Sequence, residues 1–156
     1  MKRGDTVLTV KRFSELSTRE LYEIYRVRTE VFVVEQDCPY QEVDGYDLDS
    51  IHVTLWENGK ILAYCRLLPK GCRFSEVSIG RVLATVRRRG YASEVVRQAL
   101  HYADTVWQAD KIILDAQTYA EEFYRKLGFK KSSAEFLEDG IPHIQMTRIR
   151  GGTGDA

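Results

Sequence analysis

The sequence predicts an α/β (α+β) fold in which helices cover both faces of one mixed central sheet. Amphipathic helical patterns in both halves of the chain alternate with short apolar strand patterns. An Asn58-Gly59 pair between two strand patterns is the strongest short signal for a β-hairpin. A length of 156 residues allows one hydrophobic core but not two. We therefore predict a single domain over residues 5–150, followed by a flexible tail over residues 151–156.

The first third of the chain predicts a strand, a long helix and an acidic loop. Residues 6–13 alternate as a strand does, and Ser17 and Glu20 form a capping box at the start of a helix. Apolar side chains at helical spacing extend that helix to about Val34. Residues 35–50 are rich in Asp and Glu and contain no Lys or Arg. They predict an irregular acidic loop.

The remaining elements give the overall order β-α-β-β-β-α-β-α-β-β. The predicted strands cover residues 51–57, 60–68, 76–85, 111–114, 129–131 and 143–149, and the predicted helices cover residues 91–106 and 119–127. Gly128 follows the last helix, at the position where a left-handed residue ends many helices. The short apolar strand at residues 111–114 is typical of the interior of a mixed sheet.

Charge and cysteine content exclude several classes of protein. Lys plus Arg and Asp plus Glu each total 23, so no overall positive charge favours nucleic acid or anionic membranes as partners. No apolar run approaches the roughly 20 residues that cross a bilayer, and the basic start lacks the apolar core of a signal peptide. Cys38, Cys65 and Cys72 form no C-x-x-C pair, and the histidines lie too far apart for a local metal site. These features predict a cytoplasmic protein with reduced thiols and no metal.

Residues 81–92 carry the clearest chemical signal. An apolar strand runs into a turn of three arginines at residues 87–89, and a helix follows. The start of a helix presents unpaired N–H groups and partial positive charge, and Gly90 and Ala92 let a ligand approach that backbone closely. Such a turn suits a pyrophosphate, with an ordinary solvated basic turn as the alternative. The segment matches neither a P-loop nor a dinucleotide fingerprint.

Two motifs resemble the signatures of the GNAT family of N-acetyltransferases. Arg87-x-x-Gly90-x-Ala92 after an apolar strand is similar to the family's Q/R-x-x-G-x-G/A loop, which binds the pyrophosphate of acyl-CoA. Residues 117–129 are similar to the family's N-x-x-A-x-x-F-Y-x-x-x-G-F segment. The two motifs occur in the family's order, with a helix and a strand between them, so together they are strong evidence.

The resemblance covers residues 16–149 and includes three departures. Residues 31–45 and 138–144 resemble the ElaA-like branch of the family. The connection between the strand and the basic turn is about two residues shorter than usual, Arg88 stands where many members have glycine, and Gln117 stands where asparagine is common. The first two departures predict a tighter or reshaped phosphate turn.

The resemblance implies direct transfer of an acetyl group from acetyl-CoA to an amine, without a metal or a covalent enzyme intermediate. It implies that backbone groups of Val82 and Ala84 pair with the pantetheine and that an N–H of Leu83 or Ala84 stabilises the thioester oxyanion. Tyr124 matches the family's general-acid tyrosine, which protonates the thiolate. The implied coenzyme-binding residues are Val82, Leu83, Ala84, Arg87, Arg88, Arg89, Gly90, Tyr91, Ala92, Gln117 and Tyr124. Family members are often dimers, so a homodimer is also expected.

The sequence does not identify the residue that acts as the general base. Glu35, His143 and Glu76 are candidates and His52 is a weaker one, but each also fits an ordinary structural or surface role. An amine that is already partly neutral needs no base at all. The acidic loop is either a solvated segment or a feature whose carboxylates, such as Asp44, attract a cationic amine.

Two other functions compete with an amine N-acetyltransferase. A non-catalytic GNAT-like module would bind CoA or a partner, and the altered turn and the open base favour it. A synthase of the autoinducer type shares the overall fold and has a helix end similar to residues 28–32, but it usually lacks an R-x-x-G-x-A turn. Residues 87–92 therefore argue against the synthase, and the N-acetyltransferase is the leading prediction.

Overall fold

The structure, a computed structural model, describes residues 5–151. The basic start at residues 1–4 and the predicted tail beyond Gly151 lie outside the described residues. The strands and α-helices are β1 (Thr6–Arg12), α1 (Thr18–Thr29), β2 (Ile51–Glu57), β3 (Lys60–Leu68), β4 (Val77–Ala84), α2 (Tyr91–Thr105), β5 (Lys111–Gln117), α3 (Glu121–Arg125), β6 (Lys130–Lys131), β7 (Phe136–Glu138) and β8 (Ile141–Ile149). This is the predicted order with one additional strand.

One mixed sheet forms the centre of the described chain. Its strands lie in the order β1-β2-β3-β4-β5-β8-β6, and β7 pairs with β8. β4 and β5 are parallel, whereas the other neighbouring strands are antiparallel. The crossover through α2 makes that parallel pair possible, so the predicted mixed sheet is confirmed.

Helices cover both faces of the sheet, as the sequence predicts. α2 packs its stripe of Val, Ala and Leu side chains against one face, within the main core. α1 covers the opposite face, where Ile24 and Val27 pack with Tyr64 and Leu83. Because side chains alternate along a strand, Arg66 lies on the same face as Tyr64. The face under α1 therefore combines apolar contacts with buried polar groups.

Three local signals in the sequence are confirmed. The capping box is present, since Ser17 Oγ accepts a hydrogen bond from Glu20 N at 3.0 Å and Glu20 Oε1 accepts one from Ser17 N at 2.7 Å. The Asn58-Gly59 turn joins β2 to β3. Gly128 follows α3 with a left-handed φ of +99°. These signals are reliable because each depends on a few neighbouring residues.

Several elements differ from the prediction, and one of them is β5, which extends three residues beyond the predicted end at Leu114, to Gln117. The first helix is α-helical only to Thr29 and continues as a π-helical segment over Glu30–Glu35. The last helix begins as a 3₁₀ turn at Thr118–Ala120 and ends earlier than the predicted residue 127. β7 was not predicted, because it has three residues and its Leu137 is exposed, which leaves too short a pattern to show alternation. No helix within residues 5–151 has the length and apolarity needed to cross a bilayer.

Candidate functional site

β4 and β5 separate after a short parallel contact. They pair at Val77 with Ile112 and at Ser78 with Ile113, after which β4 continues to Ala84 and β5 to Gln117. Between the separated strands, the backbone N–H and C=O groups that a continuous ladder would use face a gap. An extended ligand with amide groups can pair with this strand edge.

A β-bulge bends β4 where it leaves β5. Tyr64 of β3 lies opposite Leu83 and Arg66 lies opposite Gly80, so two residues of β4, Arg81 and Val82, face one residue of β3. Arg81 has a φ of +52°, a left-handed conformation that is uncommon for residues other than glycine. Because a bulge bends its own strand, this irregularity accounts for the gap beside β5.

A cavity of about 1050 Å³ opens at the gap and reaches the start of α2. Most of the residues that the sequence singled out line it: Glu35, Val82, Leu83, Ala84, Arg87, Arg88, Gly90, Tyr91, Ala92, Gln117, Tyr124 and His143. Arg89, Glu76 and His52 do not line it. The fold therefore brings the basic turn, the edge of β4 and the α3 tyrosine to one place.

The end of the cavity at α2 is suited to an anion. Gly90 caps the helix with a φ of +75°, and the first N–H groups of any helix lack acceptors in a preceding turn. Arg88 is left-handed at +62°, which explains why glycine is common at this position in the family that the motif resembles. Arg97 also lines the cavity and donates to Ser93 Oγ at 3.2 Å. The sequence analysis missed Arg97, although it lies one helical turn after Ser93 on the same face.

Tyr124 lies in the wall of the cavity, packed between aromatic rings. Its ring is 4.9 Å from that of Phe123 and 6.0 Å from that of Phe129, measured between centroids. Burial raises the pKa of the Tyr124 hydroxyl well above its usual value of 10. The hydroxyl therefore keeps its proton at neutral pH, as a proton donor must.

Two of the base candidates, His143 and Glu35, reach the cavity. His143 Nδ1 lies 2.7 Å from the carbonyl oxygen of Ile141; since a carbonyl only accepts, Nδ1 is the donor of this hydrogen bond. That ring stacks on Phe136 and its Nε2 lies 3.7 Å from a Glu138 carboxylate oxygen. Glu35 is half-exposed and its carboxylate lies 3.5 Å from Arg87 Nη2.

The other two base candidates lie outside the cavity. Glu76 hydrogen-bonds to Ser75 Oγ and lies 3.9 Å from Lys111 Nζ at the surface. His52 is fully buried, between the Tyr64 hydroxyl at 2.6 Å and the carbonyl oxygen of Asp47 at 3.0 Å. Burial lowers the pKa of His52, so its ring is neutral and has a structural role in the protein interior. We therefore retain neither residue as a base.

The acidic loop supplies half of a buried ion network, which we call the arginine–carboxylate cluster. Its members are Arg28 of α1, Arg66 of β3, Arg81 of β4 and Glu42, Asp44 and Asp47 of the loop. Arg28 is fully buried and contacts Asp47 at 2.7 Å and Glu42 at 3.1 Å. The carboxylates that were expected to attract a cationic amine are thus neutralised by arginines of the chain itself. That interpretation of the loop is wrong for these three residues.

The cluster also holds the bulge in β4. Arg81 Nε donates to Glu42 at 2.8 Å and Arg81 Nη2 donates to Asp44 at 3.0 Å. The guanidinium of Arg81 also lies over the ring of Tyr40, 5.4 Å from its centroid. These contacts offset the unfavourable left-handed conformation of Arg81. The acidic loop therefore fixes the shape of the strand edge that borders the cavity.

The cluster predicts a loss of stability in acid. Burial alone would raise the pKa of Asp44, but hydrogen bonds and charge from Arg66, with smaller contributions from Tyr46 N and Arg81, hold it at about 2 against an ordinary 3.8. The unfolded chain therefore binds more protons between pH 4 and pH 2, and about 2 kcal/mol of stability is lost over that range. Urea unfolding of the wild type and Asp44→Asn should show a stability difference that is largest above pH 4 and shrinks toward pH 2. A difference independent of pH would contradict this assignment.

Among residues 5–151, no group of three or more His, Cys, Asp or Glu side chains is arranged to hold a metal ion.

Comparisons with known proteins agree with this architecture. A family model described as "Acetyltransferase (GNAT) domain" matches residues 15–149. A UPF0039 protein of Schizosaccharomyces pombe is 46% identical over 140 residues, which cover 87% of this chain and 92% of the relative. The crystal structure of an acyl-CoA N-acyltransferase from Pseudomonas aeruginosa superimposes with a TM-score of 0.86 at 41% identity, covering 92% of this chain and 99% of that one.

Escherichia coli ElaA is equally similar in structure. Its crystal structure has a TM-score of 0.86 at 35% identity and covers 92% of this chain and 99% of its own. The AHL synthase LasI shares the fold with a TM-score of 0.71, but at 17% identity this likeness is limited to the fold.

Proposed function

This chain belongs to the GNAT acetyltransferase family, in the branch that includes ElaA, and from that premise we propose that it transfers the acetyl group of acetyl-CoA to a primary amine of a small molecule or peptide. The single observation that carries the proposal is the gap between β4 and β5, which opens into a cavity that ends at the N-terminus of α2. A strand edge, an anion-binding helix start and a protonated tyrosine meet there.

The cavity has the parts that an acyl-CoA needs. In our proposal, the pantetheine amides pair with the backbone of Val82 and Ala84 as an additional strand would. The pyrophosphate lies on the first turn of α2, where Arg87 and Arg97 add positive charge. A backbone N–H of Leu83 or Ala84, beside the bulge, stabilises the oxyanion that forms on the thioester.

The acetyl group passes directly from sulfur to nitrogen, with one bond formed and one bond broken. The amine nitrogen attacks the thioester carbonyl carbon, forming the C–N bond, and the C–S bond then breaks. The nitrogen loses one proton and the coenzyme A thiolate gains one, which Tyr124 donates and solvent replaces. A buried, protonated Tyr124 beside the gap supports this role.

Tyr124→Phe should lower turnover more than substrate affinity. Removing the hydroxyl leaves the aromatic packing intact but removes the proton donor, so we expect kcat to fall about 10²-fold with a nearly unchanged Kd for acetyl-CoA. Tyr102→Phe on α2, whose ring packs on Trp107 away from this cavity, is the matched control and should retain full turnover. An unchanged kcat in Tyr124→Phe would remove this residue from the mechanism.

Calorimetry with coenzyme A and a thiol-release assay with a panel of primary amines test the proposed function. We expect saturable binding of coenzyme A and amine-dependent release of thiol from acetyl-CoA. Binding without thiol release for every amine would instead support the non-catalytic module. Faster release from long-chain acyl-CoA than from acetyl-CoA would favour an acyl synthase.

Location and assembly are also proposals. A cytoplasmic enzyme fits the free cysteines Cys38, Cys65 and Cys72. We propose a homodimer only because members of the family are often dimers. Light scattering of the purified protein would test this proposal. The balanced charge supports a small-molecule or peptide acceptor over nucleic acid or a membrane surface.

A further inference from the structure

Three buried polar atoms in the cavity wall have no hydrogen-bond partner among the described residues. They are Arg66 Nε on β3, Ser78 Oγ on β4 and Asp115 Oδ1 on β5. Arg66 and Ser78 are each 2% exposed, and the Asp115 side chain is 8% exposed. Leaving a buried polar atom without a partner is unfavourable, so three such atoms at one cavity indicate a place for a polar ligand.

The three atoms surround one glycine. Arg66 lies directly opposite Gly80 in the sheet, and Ser78 precedes Gly80 by two residues on the same face. Ser78 pairs with Ile113, so Asp115 lies two residues further along β5, level with Gly80 across the gap. Arg66, Ser78 and Asp115 all line the cavity together with Gly80, so a small molecule in the gap above Gly80 lies beside all three side chains.

Gly80 leaves the space that such a molecule would occupy. A Cβ atom at this position would lie 3.9 Å from Arg66 Nε, an ordinary contact distance. The other nitrogens of Arg66 are already engaged, with Nη1 and Nη2 donating to Asp44 at 2.8 and 2.6 Å. The arginine–carboxylate cluster therefore offsets the charge of Arg66 and holds its Nε–H in position over Gly80.

We propose that this pocket over Gly80 is the acceptor subsite of the acyltransferase, where Asp115 Oδ1 takes the proton of the attacking amine while Arg66 Nε–H and Ser78 Oγ hold an oxygen of the same molecule. The inference rests on the function proposed above and specifies its substrate class: a small primary amine that also carries a hydrogen-bond-accepting oxygen. Arg66 binds the substrate here through its Nε–H and takes no part in proton transfer.

The proton balance of the step is complete. As the nitrogen forms its bond to the acetyl carbon, one N–H proton passes to Asp115 Oδ1, and Asp115 later releases it to solvent. The C–S electron pair leaves with sulfur, which takes the proton from Tyr124. The products are an N-acetyl amine and coenzyme A, with no other reactant consumed.

The surroundings of Asp115 favour it over Glu35 as the proton acceptor. Burial raises the pKa of Asp115, and the charge of Glu138 raises it further. The charges of Arg73 and His143 and a hydrogen bond from Gln145 lower it, but the net shift is upward. A carboxylate with a raised pKa is a stronger base, and its raised value moves the acid limb of activity toward neutrality. Glu35, by contrast, is half-exposed beside Arg87 and far less shielded from water.

Two isosteric amines and a set of variants test the proposal. With acetyl-CoA as donor and kcat/KM calculated on the concentration of unprotonated amine, the value for ethanolamine should exceed that for n-propylamine by about tenfold or more, because propylamine leaves Arg66 Nε–H unpaired. The backbone of Gly80 is not left-handed, so an alanine fits there without strain. Gly80→Ala adds one methyl group above the strand and should raise KM for ethanolamine roughly tenfold. Asp115→Asn should lower kcat/KM about 10²-fold or more, and it should abolish the acid limb of the pH profile calculated on unprotonated amine.

Matched controls separate this inference from the proposed function. Asp104→Asn alters a carboxylate paired with Arg148 outside the cavity, and Thr54→Val removes a buried unpartnered hydroxyl on the same face of the sheet as Ser78. Both should keep kcat/KM within about twofold of the wild type. All variants should bind acetyl-CoA as the wild type does.

The outcomes are distinct. If the wild type releases thiol with amines but Asp115→Asn keeps the wild-type pH profile, or ethanolamine and propylamine react equally, the acceptor subsite is wrong and the acyltransferase stands. If the wild type neither binds acetyl-CoA nor releases thiol with any amine, the proposed function fails and the subsite fails with it.

Discussion

Gly90→Glu is expected to abolish coenzyme A binding, with at least a 100-fold increase in Kd measured by calorimetry. Gly90 is the cap of α2 and lines the cavity where we place the pyrophosphate. A carboxylate at this position would meet a phosphate group in a pocket that otherwise presents N–H donors and arginines, so repulsion replaces attraction.

A second substitution separates charge from backbone strain at this position. Gly90 has a φ of +75°, so any side chain there carries a conformational cost. Asn tolerates the left-handed region better than most residues, and Gly90→Asn places a neutral side chain of similar size in the same space. We expect Gly90→Asn to retain measurable coenzyme A binding. Equal, wild-type affinity in both variants would show that the pyrophosphate does not bind at this turn.

Asp47→Asn is expected to destabilise the protein by about 3–5 kcal/mol, the largest effect on folding that we predict. Asp47 Oδ1 accepts from Arg28 Nη1 at 2.7 Å and from Arg66 Nη1 at 2.9 Å, and both arginines are almost completely buried. A neutral amide leaves two desolvated guanidinium groups with less opposing charge. Urea unfolding at neutral pH measures the effect.

Asp49→Asn is the matched control for that experiment. Asp49 lies in the same 3₁₀ turn, Asp47–Asp49, but its side chain is exposed. Its substitution should change the free energy of unfolding by no more than about 0.5 kcal/mol. Equal stability of the two variants would mean that the ion pairs of Asp47 with Arg28 and Arg66 contribute little to folding.

The basic turn before α2 was predictable because its signal is local, and its binding of pyrophosphate remains a prediction. The turn of arginines, Gly90 and the start of α2 are contiguous, and a helix start has the same free N–H groups in any protein. The resemblance to the GNAT family was likewise detectable from two short motifs, and the comparisons confirm membership of that family. What the resemblance could not supply was the geometry of Arg88, whose left-handed φ fits a position where glycine is common.

The acidic loop shows where sequence reasoning failed. Its carboxylates were interpreted as solvated or as an attraction for amines, since no Lys or Arg occurs nearby in the chain. Their partners are Arg28, Arg66 and Arg81, which reach the loop from one helix and two strands. A signal existed, because Arg66 interrupts a strand that is otherwise almost entirely apolar and buried. A charge in such a strand requires a buried partner.

The sequence by itself determined the family, the order of the elements apart from β7, and the basic turn to which we assign the pyrophosphate, because helix caps, hairpin turns and short motifs depend on neighbouring residues. Only the tertiary structure decided which carboxylates are neutralised, which base candidates reach the cavity, and that Arg66, Ser78 and Asp115 line one cavity together with Gly80. These three side chains stand on three different strands, and the register that brings them together follows from sheet pairing and from the bulge at Arg81. Pairing between distant strands is set by the packing of the whole domain, which no local pattern encodes.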